Sequence, residues 1–185
     1  MKNLIKPIML MMLLVGFNAK AGLIEIDVDQ NEVSAGSSVT VSLIATGFDE
    51  FDLFDLDFVF DNSLFTYDNG SLQSDLPLDD GLFVLGLLAT PVGDHLALSF
   101  FDFIPFVGGD FLLAKFDLVS SGKGVSDFSF ANVSFDNLFG PLTVVNSSVQ
   151  QVRVNGSTAV PEPATWALLV LSMLFIFAKR VRNQG

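Results

Sequence analysis

From Phe54 to Asp61 the chain places Phe54, Leu56, Phe58 and Phe60 on one parity and Asp55, Asp57 and Asp61 on the other. Side chains of a β-strand point alternately to its two faces, so this stretch buries one face and turns acid toward water on the other. The same period of two recurs at Ile24, Ile26 and Val28 against Glu25, Asp27 and Asp29, and at Val39, Val41 and Leu43 against Thr40 and Ser42. Further apolar runs cover 82–88, 95–103, 111–119, 125–135 and 142–154. Turn chemistry separates them: residues 31–37 with Gly36, Asp61-Asn62-Ser63, and Asn69-Gly70. About nine strands with no helical period between them predict an all-β chain, an antiparallel sandwich or jelly roll. The Asp residues beside Phe also discourage edge-to-edge aggregation.

Composition narrows what such a sandwich can do. The 185 residues include 20 Phe and no Cys. Packing and β-pairing must therefore supply the stability, and thiol nucleophiles, thiolate metal sites and Fe–S clusters are excluded. Glu162 is the only one of the 21 acids outside 22–160, and that stretch carries just Lys115, Lys123 and Arg153 as bases, a formal charge of −17. Such a field repels nucleic acid and anionic lipid and attracts cations, and it keeps a Phe-rich chain soluble.

The two ends read as addresses. Lys2 and Lys6 precede an apolar run over 8–17, and Ala19-Lys20-Ala21 is a small-x-small cleavage site. Residues 1–21 thus form a secretory signal peptide, cut after Ala21. The run is shorter than the roughly 20 residues a membrane-spanning helix needs. At the other end, 156–163 is a linker containing Pro161, Glu162 and Pro163. Residues 164–178 are apolar apart from Thr165 and Ser172, and 179–185 is a basic tail with Lys179, Arg180 and Arg182. As a helix, 164–178 would reach about 22 Å, a short transmembrane span whose basic flank favours the cytoplasm. The alternative is an ordinary tail anchor. Pro161-Glu162-Pro163, Trp166, the short apolar helix and the basic cluster together resemble the PEP-CTERM sorting signal. That resemblance implies recognition and cleavage by a membrane-embedded exosortase in a Gram-negative envelope. It also implies delivery to the cell surface or an extracellular matrix.

Between the two ends, residues 22–155 carry a second likeness. Ile24 to Val28, Val33-Ser34-Ala35-Gly36-Ser37-Ser38-Val39-Thr40-Val41, the stretch from Leu56 to Phe65 and the run from Leu112 to Leu118 resemble a cohesin-type domain. The resemblance implies a nine-stranded jelly-roll sandwich and a non-catalytic binding module. Cohesins hold dockerin partners on one sheet face. A single domain with a sorting tail departs from a cellulosome scaffoldin, so no contact residues transfer.

Catalytic patterns are weak. His95 is the only histidine, with Asp94 and Ser99 nearby, but no Gly-x-Ser-x-Gly elbow surrounds it. Asp55 with Asp57 and Asp79 with Asp80 are acid pairs that a glycosidase could use, yet 20 acids produce such pairs by chance. No catalytic residue and no cofactor is assigned. Calcium is the one metal that Asp27, Asp29 and the acids of 75–80 could suit, though the EF-hand spacing is absent. Asp55, Asp57 and Val59, opposite the apolar parity, make the candidate binding face. The expected role is an exported surface or matrix protein that binds or scaffolds through that face. Its partner would be a surface protein or extracellular polysaccharide; a carbohydrate-binding or carbohydrate-active protein is the alternative.

Overall fold

The computed structural model describes residues 21–79, 81, 85–146 and 149–156. Twelve strands follow in order: β1 (Gly22–Val28), β2 (Glu32–Ser34), β3 (Ser38–Phe48), β4 (Phe51–Val59), β5 (Phe65–Tyr67) and β6 (Gly86–Val92) come first. Then come β7 (His95–Phe106), β8 (Gly109–Ser120), β9 (Gly124–Asn137), β10 (Gly140–Pro141), β11 (Val144–Asn146) and β12 (Gln150–Asn155). One sheet runs β11-β1-β3-β8-β5, and the other runs β2-β12-β9-β4-β7-β6, with β10 hooked onto β9. All pairings are antiparallel except β1–β11 and β12–β2.

Apolar parity sets which faces meet. Ile24, Ile26, Val39, Val41, Leu43, Leu113, Phe116 and Leu118 come from the first sheet. Phe54, Leu56, Phe58, Leu96, Leu98, Phe100, Phe128, Phe135, Val152 and Val154 meet them from the second. All are buried in one cluster. Each large side chain so buried contributes about 1.5–3 kcal/mol by leaving water. The two buried polar side chains among the described residues are satisfied: the Ser120 hydroxyl sits 2.9 and 2.7 Å from the Ser34 and Ser37 carbonyl oxygens, and that of Ser126 accepts the Asp61 N–H.

The inward placement of Phe54, Leu56, Phe58 and Phe60 agrees with their spacing. Three expectations need correction. Among the described residues the strands number twelve rather than about nine, because segments read as one run or one turn divide. Residues 142–154 form β11 in one sheet and β12 in the other, and the expected turn at 31–37 contains β2. Polar residues at 29–31 let the chain cross from β1 in one sheet to β2 in the other. The strand expected at 82–88 lies later, at Gly86–Val92, and 82–84 fall outside the described residues. Of the four edge strands among the described residues, β2, β5 and β11 have only three residues each and β6 has seven; the three short edges offer little open backbone for aggregation.

No helix among the described residues is long and apolar enough to cross a membrane. The signal peptide through Lys20, the motif Pro161, Glu162 and Pro163, the apolar segment 164–178 and the basic tail all lie outside the described residues.

Candidate binding face

β4 sits between β7 and β9, so its outward residues occupy the middle of the sheet. Asp55 lies opposite Ser99 on β7 and Ser134 on β9; Asp57 lies opposite Ala97 and Ala131; Val59 lies opposite His95 and Ser129. On β6 the rows continue with Leu88, Thr90 and Val92. Asp55, Asp57 and Val59 thus share one outer face, flanked by Ser and Ala on the neighbouring strands and by His95, Leu88 and Val92.

The two acids differ in their surroundings. Among the described residues Asp55 is exposed and has no hydrogen-bond or ion-pair partner. The Asp57 carboxylate accepts the side-chain amide of Asn132 and lies 3.9 Å from His95 Nε2. His95 Nδ1 in turn lies 3.3 Å from an Asp94 oxygen. Asn132 reaches Asp57 because β9 carries one more residue than β4 between their pairings, and it adopts φ 47° in that bulge. Sequence reasoning missed Asn132, since a single bulge leaves no mark in an apolar pattern.

A triad around His95 is not assembled. Ser99 is four residues along the same strand, about 13 Å away at the usual strand rise, and the imidazole faces two carboxylates instead.

Other acids hold backbone. Asp29 accepts the Thr40 N–H at 2.9 Å, Asp75 the Leu112 N–H at 2.7 Å and Asp79 the Gly81 N–H at 2.8 Å. Asp61 accepts both the hydroxyl and the N–H of Ser63, and those bonds hold its carboxyl below the usual range. Among the described residues no group of three or more His, Asp or Glu is arranged to hold a metal ion, and Asp80 lies outside them.

No protein-family model and no curated protein matches the sequence. Solved structures do. A cohesin from Clostridium acetobutylicum superposes with TM-score 0.59 at 17% identity, over 75% of this chain and 94% of that one. The fold is cohesin-like. A non-cellulosomal cohesin from the archaeon Archaeoglobus fulgidus gives 0.57 at 13% identity, over 75% of this chain and 94% of its own. A type I cohesin–dockerin complex from Clostridium thermocellum gives 0.59 at 15%, over 74% and 95%.

Proposed function

We propose that the chain is an exported, non-catalytic binding module that holds a protein partner on the outer face of β9, β4, β7 and β6. The observation that carries this reading is the unpartnered carboxylate of Asp55 at the centre of an open sheet face, beside Asp57 and Val59. A carboxylate that stabilises nothing in its own fold is available to a cation on a partner. The cohesin-like fold supports the reading, since one structural neighbour comes from a cohesin–dockerin complex. Export by residues 1–21, exosortase processing at Pro161-Glu162-Pro163 and display at the surface or in a matrix complete the proposal.

Pull-down with the full chain against the host's secreted proteins and, separately, its polysaccharide tests the reading. Asp55→Lys with Asp57→Lys should abolish capture of a protein partner while the protein stays folded. Capture of polysaccharide alone would transfer the function to the carbohydrate class. In the native host, replacing Pro161, Glu162 and Pro163 with Ala should leave full-length protein in the membrane fraction; unchanged release would remove the exosortase step.

A further inference from the structure

The most exposed large apolar residues among the described ones are not scattered. Phe103, Ile104, Val107, Leu138 and Phe139 are 78, 77, 87, 83 and 86% exposed. All five belong to segments at one end of the sandwich. Between their pairings at Phe51–Phe106 and Leu53–Phe101, β4 advances two residues and β7 five, so β7 throws Asp102 to Pro105 out of the ladder. Val107 follows in the turn to β8. Leu138 and Phe139 form the tip of the β9–β10 hairpin.

This end is tied down rather than loose. The Asp102 carboxylate accepts the Ile104 N–H at 3.0 Å, and the Phe103 ring packs edge-on against Phe101 with centroids 5.0 Å apart. Gly108 has φ +76°, and a Cβ there would stand 2.5 Å from the Asp49 carbonyl oxygen, so the β7–β8 turn lies directly on the β3–β4 turn. Asp110 accepts the Gly47 N–H at 2.8 Å. Asn137 donates to the Glu50 carbonyl at 3.3 Å and accepts the Phe139 N–H at 2.9 Å, which fixes the hairpin tip beside the same turn. Below lies a solid base of rings in mutual contact: Phe48, Phe51, Phe106, Phe111 and Phe135. Apolar side chains held in place before a partner arrives lose little further freedom on binding, and contiguous apolar patches of a few hundred Å² or more mark interaction sites.

Charge selects the occupant. Asp49, Glu50, Asp52, Asp102, Asp110 and Asp136 surround these residues. Of the three bases in the body, Lys115 lies in mid-β8, opposite Ser42, while Lys123 and Arg153 lie at the far end near the start of β9. A second copy would bring acid against acid, and an anionic bilayer would be repelled. The geometry points to this end as a docking surface for a protein with an apolar hollow edged by Lys or Arg, into which Phe103, Ile104 and Phe139 insert. It rests on the binding-module reading but names a different surface from Asp55 and Asp57.

The test uses the full chain and a synthetic two-helix hairpin whose inter-helix groove is lined with Leu and Ala and edged with Lys. A second hairpin edged with Glu and vesicles of phosphatidylcholine serve as controls. The Lys-edged hairpin should bind, the Glu-edged one should not, and Phe103→Ser with Ile104→Ser should weaken binding at least tenfold. Leu138→Ser with Phe139→Ser should act in the same direction, and circular dichroism checks that both variants fold. No binding, equal binding of the two hairpins, or binding unchanged in both variants would overturn the inference. Vesicle binding that the variants abolish would reassign the patch to membrane, and a dimer that they dissolve would reassign it to self-association. If only Asp55→Lys with Asp57→Lys weakens hairpin binding, this surface is wrong while the binding-module reading stands.

Discussion

Asn132 bends into the left-handed region on β9 so that its side-chain amide reaches Asp57 on the neighbouring strand. It is the only non-glycine residue with positive φ among the described residues. An L-residue in that region costs roughly 1–2 kcal/mol relative to ordinary backbone, and Asn tolerates it better than most. Asn132→Val should therefore destabilise the protein by about 1–2 kcal/mol, whereas Asn132→Gly should cost much less while freeing Asp57. Equal losses in urea unfolding of the two variants would show that the bulge does not set the cost.

Phe51 is the ring that joins the most neighbours at the apolar end, touching Phe48, Phe54, Phe100, Phe106, Phe111 and Phe135. Phe51→Ala should cost about 3–5 kcal/mol, the range for emptying a buried aromatic site. Phe103→Ala, at an exposed position, should cost less than about 0.5 kcal/mol. Chemical denaturation of the two variants side by side checks the contrast, and comparable losses would mean that the exposed ring carries fold stability.

Tyr67, the only tyrosine, has its hydroxyl pushed above the usual value of 10.0, first by burial and then by the charge of Asp68. The unfolded chain therefore gives up this proton at lower pH than the folded one. The contribution to stability is whole below about pH 10 and is lost as pH rises through the folded value. Ultraviolet titration should show a later phenolate midpoint in native than in denatured protein. Coincident midpoints would refute it.

Much of the fold was legible because acid and apolar residues keep strict parity. Phe54, Leu56 and Phe58 could face only one way, and Asp55, Asp57 and Val59 only the other. Parity says nothing about which sheet a strand joins, so the crossings near Asn31 and Asn146 stayed hidden and the strand count came out low. The apolar end left a trace that alternation could not resolve. Phe100 and Phe101 are adjacent and cannot both point inward, and Pro105 interrupts the run that follows. Phe100 took the core and Phe101 the outer face. The partner of Asp57 came from a bulge, a local insertion with no periodic signature.

Gly22 opens β1 already buried, with its N–H bonded to the Thr143 carbonyl at 3.0 Å and no room for a Cβ, which would lie 2.7 Å from the Phe48 ring. A protease needs an accessible stretch of backbone on both sides of the bond it cuts. The proposed cleavage between Ala21 and Gly22 would therefore be a matter of timing. It would belong to the interval before β1 zips onto β3 and β11, and a chain that closed its first sheet sooner would keep the proposed leader.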